Sequence, residues 1–143
     1  MPPVYFLLAI GAAVLLHRQV PVVQLVTGSW RWLGLASLAP VAVLAGPGAR
    51  ALGRRGTTLH PFGKPSALVT DGPFQLTRNP LYLSLVTLLL GVAVFLGSLA
   101  ALAVVPVFVW AIQAVFIRRE EAALAAAFGA EFDAYCRQVP RWL

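Results

Sequence analysis

The chain has 143 residues, of which 59% are hydrophobic and 11% charged, with a formal net charge of +6 and a mean hydropathy of +0.82. A soluble domain carries about a quarter of its residues charged, so the composition excludes an ordinary soluble protein and points to an integral membrane protein, one domain over residues 1–143. The surplus of Lys and Arg then reads as loop charge facing an anionic membrane surface, and no nucleic-acid partner is expected.

The first apolar segment, Val4 to Leu16, stops at His17-Arg18. It is shorter than the roughly 17–25 residues a span needs, so a crossing requires flanking residues, tilt or a thinned bilayer. It lacks the basic start and clean cleavage site of a signal peptide and reads as a membrane helix. The second segment, Trp32 to Ala49, carries Pro40 and Pro47, which predict a kink. Residues 1–52 thus hold the first two membrane helices.

Residues 53–80 form a loop in which Gly53, Gly56, Pro61, Gly63, Pro65, Gly72 and Pro73 rule out a continuous helix. Loops of this length in a compact protein tend to be functional. This one ends in Arg78-Asn79-Pro80, where Asn79 suits an N-cap and Pro80 the first turn of the next helix. The positive end of that helix, with Arg78 beside it, offers a seat for an anion such as a carboxylate. A capped helix starting near an arginine is also a common structural feature with no function of its own.

Residues 81–117 contain the third and fourth segments, Leu81 to Leu96 and Leu99 to Ile117, separated only by Gly97-Ser98. That spacing demands a tight antiparallel helical hairpin. Residues 118–143 begin with a further helix, Arg118 to Arg137. Its Leu124, Phe128, Phe132 and Tyr135 recur at spacings of four, four and three and make one apolar stripe. Glu120, Glu121, Glu131 and Asp133 lie largely off the stripe, and Gly129 marks a bend. Such a helix lies on the membrane surface or folds back over the bundle. The fold class is all-α: a bundle of about four transmembrane helices with a C-terminal cytosolic or interfacial helix.

Charge sets the orientation. Arg50, Arg54, Arg55, Lys64 and Arg78 crowd the long loop, Arg118 and Arg119 follow the fourth segment, and Arg137 and Arg141 lie in the tail. The Gly97-Ser98 connection has no charge. The long loop and the C-terminus are therefore cytosolic, with Arg18 and Arg31 running against the trend. The expected location is a bacterial inner membrane with the polar chemistry facing the cytosol. The lone Cys136 makes no internal disulfide, and no Cys/His cluster has metal-ligand spacing, so no metal is expected.

Three features combine: LVTDGPFQLTRNPLYLSL from Leu68 to Leu85, a short hairpin, and RREEAALAAAFGAEFDAYCRQVPRWL from Arg118. This pattern resembles the isoprenylcysteine carboxyl methyltransferase family, within a wider group that includes membrane phospholipid methyltransferases. The resemblance covers about half the chain, from Thr58 to Leu143. It implies S-adenosylmethionine as methyl donor, bound at the cytosolic ends of the last two helices and capped by the C-terminal segment. Carried over by position, Leu68 and Val69 would supply backbone groups and an apolar wall, Gly72 the turn, and Phe74 a packed aromatic. Asn79, Pro80 and Tyr82 match the Arg-His/Asn-Pro-x-Tyr core, and Glu120, with Glu121 beside it, matches the cofactor glutamate. The chemistry agrees: a carboxylate such as Glu120 can hold the ammonium or the ribose, Arg78 suits the carboxylate, and Phe74 and Tyr82 suit the adenine or the sulfonium. Read without the resemblance, Glu120-Glu121 is a solvated pair partnering Arg118 and Arg119.

Two departures bear on the acceptor. Asn79 replaces the commoner histidine and cannot titrate. Phe116 stands where the prenylcysteine enzymes carry a substrate-binding arginine. Candidate bases at the interface are His60, Asp71 and the two glutamates, and His60 in a Pro-rich loop reads more simply as a solvated histidine. No catalytic residue is assigned. The reading is methyl transfer to a lipophilic small molecule or lipid, a carboxylate or thiol by preference because a carboxylate or thiolate is already anionic and needs no base. Amine methylation of a phospholipid, a non-catalytic membrane scaffold and an NADPH-dependent reductase of related architecture are the alternatives. The oligomeric state stays open.

Overall fold

A computed structural model of the chain describes residues 1–20, 23–56 and 65–143. His60 and Lys64 lie outside the described residues. Among those described, every regular element is helical. Pro2 and Pro3 open α1 (Pro2–Gln19), at positions where a missing N–H costs nothing, and His17 and Arg18 sit in its last turn, where positive charge meets the helix dipole. A 3₁₀ helix (Gly28–Ser37) runs directly into α2 (Leu38–Arg54). The second apolar segment therefore begins as a 3₁₀ helix and continues past Ala49 to Arg54. Pro40 falls in the first turn of α2 and only Pro47 lies inside the helix.

The third segment is α3 (Pro80–Leu96) and the fourth begins as α4 (Leu99–Ile112). The chain does not stop at Ile117: a π turn (Gln113–Ile117) joins α4 to α5 (Arg118–Phe128), and α6 (Ala130–Gln138) follows. The break expected at Gly129 is present, with φ at +49°. Two stretches among the described residues are long and apolar enough to cross a membrane, Gly28–Arg54 with 27 residues and Leu99–Phe128 with 30. Pro80–Leu96 is apolar and shorter. With Leu7, Leu8, Val43, Val107 and Trp110 all facing outward, these helices form an all-α membrane bundle whose apolar outer surfaces suit lipid.

The chain divides into two compact units. The first comprises Met1–Val41 and Ser84–Ile112. Here α1 lies along α4. Phe6, Ala9 and Ala13 form the buried stripe of α1, Ala101, Val104, Phe108 and Ile112 that of α4, and the Phe6 and Phe108 rings are 6.0 Å apart. The Gly97-Ser98 connection has a physical reason for each residue. Gly97 sits at φ +76°, and a side chain there would meet the Val26 carbonyl. Ser98 is fully buried and its hydroxyl accepts from the Ala101 N–H at 3.2 Å, capping α4. The segment before the 3₁₀ helix seals this turn: Leu25 N–H donates to the Gly97 carbonyl at 2.8 Å and Leu99 N–H to the Val23 carbonyl at 3.2 Å.

Arg31, which runs against the charge trend, is bonded to the end of α3. Its Nε donates to the Phe95 carbonyl at 2.7 Å, satisfying one of the open acceptors at the end of α3. Trp32 meets the Phe95 ring edge-on at 5.3 Å. The 3₁₀ helix approaches α3 closely through two glycines: a side chain on Gly91 would collide with Ser37 Oγ and the Gly34 carbonyl, and one on Gly34 with the Gly91 carbonyl. Gly91→Ala should therefore destabilise the protein by about 1–3 kcal/mol through overpacking. Thermal denaturation in detergent checks this, and an unchanged midpoint would mean that the helices do not approach so closely.

Candidate functional site

The second unit, Ala42–Leu83 with Gln113–Leu143, contains every described residue of the expected site. The loop that enters it is held by two apolar clusters. Val69 and Phe74 pack with Ala51 and Leu52 of α2. Leu68 packs instead with Phe132, Tyr135 and Val139, against Leu124, Phe128 and Cys136. The stripe read on the C-terminal helix thus packs against the loop, with Phe132 and Tyr135 buried and Leu124 and Phe128 partly so. Gly72, at φ +61°, opens a single 3₁₀ turn, Gly72–Gln75, which turns Phe74 inward. The Tyr135 hydroxyl donates to the Phe74 carbonyl at 2.6 Å and locks the turn to α6. Burial pushes the Tyr135 phenol up to about 12, with Arg78 pulling it back and Cys136 adding to the rise.

Tyr82, in the first turn of α3, donates its hydroxyl to Glu120 Oε1 at 2.5 Å. This is the length of a charge-assisted O–H···O bond. Phe116 is buried, and its ring stacks on Tyr82 at 6.5 Å and 23°. The position at which the prenylcysteine enzymes carry an arginine thus supplies packing to the residue that orients Glu120. The π turn contributes to this register. One extra residue in a helical turn rotates everything after it by about 100°, which helps decide which face of Arg118-Arg119-Glu120-Glu121 meets Tyr82.

Glu121 has a different environment. Its Oε1 lies 3.1 Å from Arg78 Nη1 and accepts from Arg141 Nε at 3.0 Å, while Oε2 accepts from Arg141 Nη2 at 2.6 Å. The pairing with Glu121 raises the pKa of Arg141. The rest of the tail is bound to the start of α3. Arg78 N–H donates to the Pro140 carbonyl at 3.0 Å, and both Thr77 Oγ1 and Asn79 Nδ2 donate to the Arg141 carbonyl at 3.0 Å. Trp142 Nε1 reaches Gln113 Oε1 in the π turn at 3.1 Å. Arg78 also donates to Cys136 Sγ at 2.7 Å, and its Nε is buried without a partner.

The expected residues therefore fall into three groups. Tyr82 and Glu120 are bonded directly, with Pro80 buried at the start of the same helix. Arg78, Asn79 and Glu121 meet around the tail, so the amide of Asn79 faces the Arg141 carbonyl rather than serving only as a helix cap. Leu68 lies in one apolar cluster and Val69 and Phe74 in the other. Asp71, a candidate base, forms a half-exposed ion pair with Arg55 at 3.6 Å, of the kind that contributes little to stability. Thr77, Tyr135, Arg141 and Trp142 were not singled out as site residues from the sequence. Arg141-Trp142 has no periodicity or motif of its own, and only its charge in an apolar chain could have drawn notice.

The family described as phospholipid methyltransferase matches residues 29–131, a span that includes Tyr82, Phe116 and both glutamates. The chain belongs to the phospholipid methyltransferase family. A curated relative, the cobalt-zinc-cadmium resistance protein CzcN of Cupriavidus metallidurans, is 34% identical over 120 residues, 82% of this chain and 55% of that protein. The chain thus spans about half the length of that relative. No solved structure matches it.

Within this phospholipid methyltransferase family member, the Tyr135–Phe74 bond is open to a stability test. The folded phenol is raised above its ordinary value near 10, so its contribution is complete below about pH 10 and is lost as pH rises toward 12. Tyr135→Phe should cost about 1 kcal/mol at neutral pH, for one hydrogen bond, and should flatten the loss of stability above pH 10. Unfolding in detergent across that range checks both effects. An alkaline loss equal in the two proteins would place the titrating group elsewhere.

Proposed function

We propose that this protein transfers a methyl group from S-adenosylmethionine to a lipophilic acceptor at the cytosolic face of the membrane. The observation that carries the reading is the Tyr82–Glu120 pair, a carboxylate in the first turn of α5 oriented by a phenol at the start of the apolar helix α3, in a phospholipid methyltransferase family member. The surrounding residues fit the donor's chemistry. Glu120 can accept from an ammonium or from ribose hydroxyls, and Arg78 can hold a carboxylate. Phe74 and Tyr82 offer aromatic faces to the adenine or sulfonium. Leu68, Val69 and the turn at Gly72 supply apolar wall and backbone, while Asn79 and Pro80 fix the start of α3.

S-adenosylmethionine supplies an electrophilic methyl group on a sulfonium. The protein's role is orientation and exclusion of water, because an in-line displacement responds chiefly to position and to a preorganised, dry environment. Tyr82 fixes the Glu120 carboxylate, and Phe116 fixes Tyr82. A carboxylate or thiolate acceptor needs no base, whereas an ammonium must first lose a proton. Asp71, Glu120 and Glu121 are each already bonded to a neighbour, which supports an acid or thiol acceptor with a lipophilic body. The family description supports a second reading, amine methylation of a phospholipid headgroup.

Isothermal titration in detergent tests the donor. The wild type should bind S-adenosylhomocysteine, and Glu120→Ala should weaken it by roughly tenfold or more, the value of a hydrogen bond to a charged group. Tyr82→Phe should weaken it less, by losing only the orientation of Glu120. Absence of binding to the wild type would end the methyltransferase reading, and binding of NADPH in its place would point to a reductase. Transfer of labelled methyl to membrane lipids, prenylcysteine analogues and small thiols then separates the acceptors.

A further inference from the structure

We propose that the end of α2 holds one anionic phospholipid, with its phosphate between Arg50 and Arg54 and an acyl chain along Val43, Gly46 and Pro47. These five residues follow one another at i, i+3, i+4, i+7 and i+11, so they share one face of the helix. Leu44, Gly48 and Ala51 are the buried residues of α2 and lie on another face. Val43, Arg50 and Arg54 are exposed, while Gly46 and Pro47 keep the stripe between them shallow and apolar. The stretch Gly28–Arg54 has 27 residues, whereas the hydrocarbon core takes about 20. That leaves about two turns of helix for the headgroup layer, and both arginines are on the last two turns. Arg50 also leans back toward the apolar stripe, as long side chains on helices do: a Cβ on Gly46 would meet its Nη2 at 3.8 Å. None of these five residues belongs to the donor site proposed above.

The chain brings no counter-charge to these two arginines. It contains five acids, Asp71, Glu120, Glu121, Glu131 and Asp133. All are among the described residues, and none pairs with Arg50 or Arg54. The neighbouring Arg55 takes Asp71. The negative end of the α2 dipole favours cations here, but like charges one turn apart repel, and a partial charge does not neutralise two guanidiniums. An anion from outside does. A phosphodiester presents two free oxygens to the planar forks of the guanidiniums, and the apolar stripe just deeper in the bilayer fits the acyl chain attached to it. A soluble phosphate would use the arginines and leave Val43 and Pro47 bare. A phosphatidylcholine brings its own cation and leaves the positive charge uncompensated.

Diffuse attraction to an anionic surface depends on net charge, whereas a site depends on which charges are removed. Native mass spectrometry of the full chain in detergent, with phosphatidylglycerol and phosphatidylcholine of matched acyl chains, separates the two. The wild type should hold one phosphatidylglycerol roughly tenfold more tightly than phosphatidylcholine, the scale of two arginines at an anionic surface. Arg50→Gln combined with Arg54→Gln should abolish the preference. Arg118→Gln combined with Arg137→Gln removes the same charge from two other exposed arginines and should leave it unchanged. Glycerol 3-phosphate in large excess should not displace the lipid. Should the first double variant fail to fold, either of its single changes should lower the preference by roughly threefold, half of the effect in free energy. No preference in the wild type, or equal losses from the two pairs of arginines, overturns the site. Displacement by glycerol 3-phosphate overturns the lipid as its occupant.

Discussion

Two guanidiniums converging on the Glu121 carboxylate hold together three stretches that are remote in sequence. Thr77 to Asn79 leads into α3, Glu121 lies in the first turn of α5, and Pro140 to Trp142 is the tail. Glu121 and Arg78 are about five-sixths buried, so removing one partner would strand charge in a poorly hydrated place, a loss of several kcal/mol. Neighbouring residues on a helix point about 100° apart. Holding Glu121 toward the tail therefore also fixes the direction of Glu120, and that direction is toward Tyr82. The clamp and the Tyr82–Glu120 pair are two consequences of one helical register.

The preceding turn helps to set that register. The π turn at Gln113–Ile117 runs directly into the Arg-Arg-Glu-Glu run, and its wider winding sets the angle at which the residues after it follow. Trp142 bonds to Gln113 within that turn, so the end of the chain is tied to the element that aims the two glutamates. Phe116, in the same turn, stacks on Tyr82. Irregular helical geometry thus coincides with the residues proposed to hold the donor, as π turns often do at functional sites.

The apolar helices were legible because hydrophobic length is a strong signal, and Gly97-Ser98 because only a tight reversal fits between two such segments. The Leu124–Tyr135 stripe was legible through its spacing, and it packs against Leu68 as that spacing requires. The 3₁₀ stretch was not, since Gly28–Ser37 has the same apolar content as a helix of either pitch and is defined by a close approach at Gly34 and Gly91. The bond made by Arg31 was not legible, because its partner, the Phe95 carbonyl, is a backbone atom with no trace in side-chain pattern. Motif reading named Tyr82 and Glu120 without their contact. It named Glu121 as a neighbour of Glu120 without Arg141, because an ion pair between positions 20 residues apart on different elements leaves no periodic mark.

The polar groups gathered in this unit match the donor more closely than any acceptor. Glu120, Glu121, Arg78 and Arg141 offer both signs of charge in fixed positions, which suits a ligand that carries an ammonium, a carboxylate and ribose hydroxyls together. Phe116 carries no charge for an acceptor carboxylate, and its ring stacks on Tyr82. On the proposed reading, acceptor choice then rests on partition into the bilayer more than on a dedicated ion pair. Methylation of a carboxylate or thiolate removes its charge, so the product dissolves more readily in lipid than the substrate and is drawn away from the interface. Methylation of an amine keeps the charge at the surface. Among the described residues Asp71, Glu120 and Glu121 are each already bonded to a neighbour, and on the proposed reading a site of that kind matches the first case better.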